Sequence, residues 1–219
     1  MNKDQLLKKR YRAEKRFKFY GFVSITLAIL FVIFLVNVIF SKGRTAFQRT
    51  TIAVEVNFNT EELELSSNAS IEEIQDADFY DLSINSLLKL YKTEGAKQEK
   101  ELLRVFSPDH DIEIKNFLIK NLDNLNKNVI VNLTTSDDID QLHKGNYPRH
   151  LPEERRRISD FQLLIYDQLV KENKVNKVFN TFFFTNGDSR NPEVAGIGGS
   201  LFGSFFTIII TLILSFPIA

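Results

Sequence analysis

The chain has 219 residues, 28 basic and 28 acidic side chains, and no cysteine. Structural disulfides and cysteine-based metal sites are therefore excluded, and a folded domain has to rest on an apolar core. The charges avoid two stretches, 19–40 and 196–219, and everything between these stretches is long enough to form such a core.

Residues 1–18 carry eight Lys/Arg against Asp4 and Glu14 and read as a basic, helix-prone lead-in. The next 22 residues (19–40, FYGFVSITLAILFVIFLVNVIF) hold only Ser24, Thr26 and Asn37 as polar interruptions. As a helix this run spans about 33 Å, enough for a hydrocarbon core of about 30 Å. It is longer than a signal-peptide core, and no small-x-small cleavage site follows, so it predicts a retained transmembrane helix. Only Lys42, Arg44 and Arg49 lie just beyond it, so the charge asymmetry predicts a cytoplasmic N-terminus, with Tyr20 and the Lys/Arg side chains at the headgroups. Segment 41–199 then faces the far side with 20 basic and 26 acidic residues.

Within the exported segment, 41–195, Ile52, Val54, Val56 and Phe58 alternate with Ala53, Glu55 and Asn57, the pattern of a half-buried strand. Residues 60–78 are acidic and polar and read as loop. Helices are expected over 79–91 and 97–106, and a third after Ser107-Pro108-Asp109. Residues 128–134 (NVIVNLT) predict a second strand. Thr135 with Asp138 suggests a capping box for a short helix through His143. GNYPRHLP reads as a connector, Pro152 as the first turn of a helix reaching Lys171, and 175–184 (VNKVFNTFFF) as a last strand. Interspersed strands and helices predict a mixed α/β or α+β domain.

From 196 to 219 the chain is apolar again, with Pro217 inside the run, and predicts a second transmembrane helix. Gly199, Ser200, Gly203 and Ser204 bring small residues onto it in a G-x-x-x-G arrangement, the kind that lets helices approach closely in lipid. They are the helix-packing candidates.

No catalytic constellation emerges. His110, His143 and His150 lie far apart, and Asp109-His110-Asp111 reads as a solvated loop rather than a metal site. Asp137, Asp138 and Asp140 read as helix-start charges, lacking the spacing of a calcium loop. Arg155-Arg156-Arg157 reads as a charged helix face, with Glu153 and Arg157 one turn apart. Gly196-x-Gly198 lacks the third glycine of a dinucleotide fingerprint, and no phosphate-binding G-x-x-x-x-G-K-[ST] occurs. Any nucleotide hydrolysis belongs to another polypeptide, and no cofactor or nucleic-acid partner is expected.

Several stretches in order resemble the phosphate ABC transporter permease subunit family PstA, in its variant with a long extracytoplasmic domain. They are KKRYRAEKRFKFYG with SKGRTAF, then DDIDQLHKG and PEERRRISDFQ, and above all FNTFFFTNGDSRNPEVAGIGGSLFGSFFTIIITLILSFPIA. The similarity is strongest at 8–49 and 137–219 and weakest at 59–100. The resemblance implies a multi-pass protein of the bacterial inner membrane and an importer of inorganic phosphate. Its expected partners are a second permease subunit, a cytoplasmic ATPase dimer, a periplasmic phosphate-binding protein and membrane lipid. The match covers the family's N-terminal portion, so further core helices and the ATPase-coupling loop are expected outside these residues. No substrate-contacting position carries over. The competing reading is a two-pass membrane sensor or scaffold whose exported domain binds a ligand or protein.

Overall fold

A computed structural model describes residues 3–66 and 69–216 and divides the chain into two units, 1–45 and 46–219. The first unit is one helix, α1 (Lys3–Gly43), in which the basic lead-in and the apolar run are continuous. None of its described side chains is buried. Two of its polar interruptions are self-satisfied: Thr26 Oγ1 donates to the Phe22 carbonyl and Asn37 Nδ2 to that of Ile33, each at 2.9 Å. At ~1.5 Å per residue the helix exceeds 60 Å, more than a bilayer core requires. It is long and apolar enough to cross a membrane.

The second unit is built on β1 (Gln48–Asn57). Ile52, Val54, Val56 and, just beyond the strand, Phe58 are all fully buried, while Glu55 and Asn57 are exposed, as the alternation predicts. After β1 the acidic stretch is not all loop. It contains α2 (Ile71–Asp76), opened by a capping box in which Ser70 Oγ accepts from Glu73 N and the Glu73 carboxylate accepts from Ser70 N. Only Ile74 of that helix is buried, which is why the sparse apolar content hid it.

The next helices are α3 (Tyr80–Leu88), α4 (Ala96–Leu103) and α5 (His110–Lys120). They place Leu82, Leu87, Leu102, Ile114 and Leu118 in the core, and Phe58 stacks on Phe117 at 6.1 Å between centroids. β2 (Asn128–Thr134) then pairs antiparallel with β1, Ile52 opposite Leu133 and Val54 opposite Val131. α6 (Asp137–His143) follows, with Ser136 rather than Thr135 at its N-cap. Thr135 is held by β1 instead: its N–H and hydroxyl both donate to the Thr50 carbonyl.

The expected helix from Pro152 is broken in two. Glu153–Arg155 make one 3-10 turn, Arg156 is extended, and α7 (Asp160–Lys171) begins only after Ser159, whose capping box with Gln162 is complete. A strong cap placed seven residues downstream of the proline decided the start. The last expected strand is also shorter. β3 (Val175–Phe179) pairs antiparallel with the first half of β1, but 182–185 turn into a short helix, α8 (Phe182–Thr185). The sheet order is therefore β2-β1-β3, with β1 in the centre. α9 (Gly198–Ser215) ends the described chain, and is also long and apolar enough to cross a membrane; Pro217 lies outside the described residues.

Ile52 sits in the middle of this order, bonded to both neighbours and fully buried, whereas Ile130 on β2 is 65 % exposed. Ile52→Ala is expected to lower stability by about 3 kcal/mol and Ile130→Ala by less than about 0.5 kcal/mol, read from denaturant midpoints of the chain in detergent.

Candidate functional site at the foot of α9

Two backbone segments meet where the domain passes into α9. Ile197 N–H donates to the Phe183 carbonyl at 2.8 Å, Gly198 N–H to Asn186 at 2.9 Å, and Gly196 N–H to Gly187 at 2.9 Å. Asn186 closes the loop from its side chain, Nδ2 donating to the Val194 carbonyl at 2.8 Å. The approach is closer than any side chain permits. A Cβ at Gly196 would lie 2.2 Å from the Phe182 carbonyl oxygen, and one at Gly198 would lie 2.6 Å from that of Phe184. Both positions accept glycine only, and both contacts are with backbone, which cannot swing aside. The result is a clasp of α8 onto the start of α9.

The helix-packing candidates lie one step further along and differ in kind. A Cβ at Gly199 would meet only the Gly187 Cα, at 3.7 Å, and one at Gly203 would meet nothing within 4 Å beyond its own helix. Gly203 has no neighbour to accommodate, so its small size leaves the helix backbone open. On α9 the Thr207 and Thr211 hydroxyls turn back onto the Gly203 and Thr207 carbonyls, each at 2.7 Å, whereas the Ser200 and Ser204 hydroxyls make no hydrogen bond among the described residues.

Behind the clasp lies a cleft of about 380 Å³, lined by the start of β1, by α6 and by residues 192–197. Its wall holds a buried polar network. Asp140 accepts the Thr50 N–H (2.9 Å) and hydroxyl (2.7 Å) on one oxygen and the Lys144 ammonium (2.5 Å) on the other. Asp140 stands in the first turn of α6, as expected of a helix-start charge, and being buried it also ties α6 to the central strand. Arg49 on β1 donates to the Thr134 hydroxyl, lies 3.8 Å from Glu113, and places its guanidinium 3.9 Å over the Phe182 ring. Burial pushes the Glu113 carboxyl up, opposed by its hydrogen bond from Thr134 and by the Arg49 charge; the same burial lowers Arg49. Every charge facing the cleft from α6 and β1 is thus committed to a partner or shared between two.

The remaining sequence candidates scatter. His110 opens α5 and is buried, so it is not part of a solvated loop; burial lowers its pKa. His143 meets the Tyr166 hydroxyl at 2.7 Å. The three arginines share no helix face: Arg156 pairs with Asp160, and Arg157 with Asp138 and the Tyr147 hydroxyl rather than with Glu153. Among the described residues no group of three or more His, Cys, Asp or Glu side chains is placed to hold a metal ion.

The clasp glycines were visible only as an incomplete dinucleotide fingerprint. Two glycines one residue apart, directly ahead of an apolar run and outside any phosphate motif, are the signal of close backbone approach that was there to read.

The two kinds of glycine separate experimentally. Gly196→Ala is expected to lower the melting temperature of the detergent-solubilised chain by several degrees and to expose 182–187 to hydrogen exchange, whereas Gly203→Ala leaves both unchanged. Asp140→Asn, which strands the Lys144 ammonium in a buried site, is expected to cost about 3 kcal/mol, read from the same unfolding transitions.

The family profile described as Domain of unknown function (DUF3333) matches residues 4–153. No curated protein and no solved structure matches the chain.

Proposed function

We propose that this chain, which belongs to the DUF3333 family, is a membrane-embedded permease subunit of an ATP-driven importer of inorganic phosphate. In this reading α1 and α9 cross the bacterial inner membrane, the N-terminus is cytoplasmic, and the domain between them stands on the far side. The basic excess of residues 1–18 supports the orientation, and the ordered resemblance to the PstA permeases supports the transport role.

One observation carries the reading beyond resemblance. Of the eighteen residues in α9 only Gly198 is buried, and Gly198 belongs to the clasp. Such a helix would expose apolar side chains to water on every side, a cost of about 25 cal/mol per Å² that lipid removes. Yet Gly199, Ser200, Gly203 and Ser204 do not suit lipid as well as larger apolar residues would. Small side chains and two free hydroxyls suit another helix, whose backbone can come close and whose carbonyls can accept. The chain acts here as one wall of a path completed by a second permease subunit. ATP hydrolysis belongs to a separate cytoplasmic ATPase dimer, and delivery of the anion to a periplasmic binding protein.

The absence of cysteine makes topology direct to measure. A membrane-impermeant maleimide is expected to label Asp188→Cys in spheroplasts and to reach Arg12→Cys only after lysis; the opposite pattern reverses the orientation. Co-expressed with the neighbouring permease and ATPase chains, the wild type is expected to co-purify with both. Gly203→Leu is expected to lose them and to reduce phosphate uptake at least about ten-fold, with the domain's melting unchanged. Isolation of the wild type free of any ATPase would overturn the permease reading in favour of a sensor or scaffold.

A further inference from the structure

The domain buries its large aromatic side chains well: Phe58, Phe79 and Phe106 are each at most 2 % exposed. Tyr80 is an isolated exception, but two others stand together. Phe179, the last residue of β3, is 61 % exposed and Phe184 of α8 is 43 % exposed. They stack on each other with centroids 5.9 Å apart and planes 10° from parallel, and Phe47 also stacks on Phe184 at 6.0 Å. Phe183 closes the group edge-on, 5.5 Å from Phe47 and 5.1 Å from Phe184. Four rings thus make one shelf, held from beneath by the β1–β3 ladder, where Gln48 pairs with Phe179, and by the α8 clasp.

The shelf is fixed in both position and shape. Its rings are wedged against each other, so none can turn inward without unstacking its neighbour. The Phe184 carbonyl lies against Gly198, the first residue of α9, and the exposed Ile197 adjoins it. Leu201 and Phe202, both exposed, continue the apolar surface along the helix. The apolar surface of α9 therefore does not stop where the helix begins; it turns onto the domain. Lys177, exposed on β3 two residues before Phe179 and on the same side of the strand, adds a cation at the rim.

We propose that this shelf, with Phe179 and Phe184 foremost, inserts into the headgroup–acyl boundary of the bilayer, so that the domain rests on the lipid surface beside α9 rather than standing clear of it. The proposal rests on the reading that α9 crosses a membrane. Phenylalanine rings on an amphipathic surface bury into that boundary as apolar area, and Lys177 suits the phosphate of a phospholipid headgroup. The occupant is lipid because the exposed rings join an apolar surface that the same reading already places in lipid.

The chain contains no tryptophan, so one introduced indole reports alone. The 219-residue chain carrying Phe184→Trp, Phe205→Trp on α9 or Ile130→Trp on the open face of the sheet is reconstituted in phosphatidylcholine–phosphatidylglycerol vesicles brominated either high or low on the acyl chains. The residue 184 reporter is expected to lose about half its emission to the shallow bromines and much less to the deep ones, the residue 205 reporter to show the reverse, and the residue 130 reporter neither. Quenching at 205 with none at 184 overturns the shelf while leaving the membrane helix intact. Blue-shifted but unquenched emission at 184 overturns it in favour of a protein partner. No quenching at 205 removes the membrane reading, and the shelf with it.

Discussion

β1 is hydrogen-bonded along both edges and buried on one face, and this double commitment constrains every other part of the domain. Its second half takes β2, its first half takes β3, and only at Thr51 and Ile52 does it hold both. A slip of one residue would turn Ile52, Val54, Val56 and Phe58 out to water and bring Glu55 and Asn57 into the core, so the register admits no neighbour. The helices that pack on this face inherit their positions from it, and so does α6, whose Asp140 holds the strand at Thr50. The foot of α9 is placed by the same strand at one remove: β1 fixes β3, β3 ends in α8, and α8 clasps 196–198.

The polar groups around the cleft show how a domain without disulfides holds its layers in register. Asp140 is bonded from three donors and from two elements, and Glu113 links α5 to the end of β2 through the Thr134 N–H. Both are internal fasteners. A buried carboxylate satisfied by backbone N–H and hydroxyl donors specifies one arrangement of helix against sheet, since any other leaves a charge unpaired. The cleft they border thus owes its polarity to the architecture of the domain.

Elements whose information is local were legible in the sequence. Alternation along β1, the β-branched run of β2 and the uncharged runs of α1 and α9 each announce themselves within a window of a few residues. The misreadings share one cause, a local signal outweighed by a stronger one nearby. Pro152 suggests a helix start, but the Ser159–Gln162 box offers two reciprocal hydrogen bonds and wins. The run FNTFFF has the composition of a strand, yet its aromatics are needed on one shelf, which alternation cannot provide. Ser70 with Glu73 was a complete capping box inside a stretch whose acidity hid it. The foot of α9 was the least readable part, because close approach of two backbones leaves no mark in a sequence beyond the glycines that permit it.

That approach has a mechanical consequence. A helix joined to its domain through side chains can tilt while rotamers absorb the motion; one joined through main-chain hydrogen bonds on both partners has no such slack. Rotation of α9 about its foot must either rupture the bonds at 196–198 or carry 182–187 with it, and 182–187 are continuous with an edge of the sheet. Helix and sheet thus behave as a single lever with its fulcrum at two glycines, and any tilt of α9 is registered in the domain as a displacement of β3.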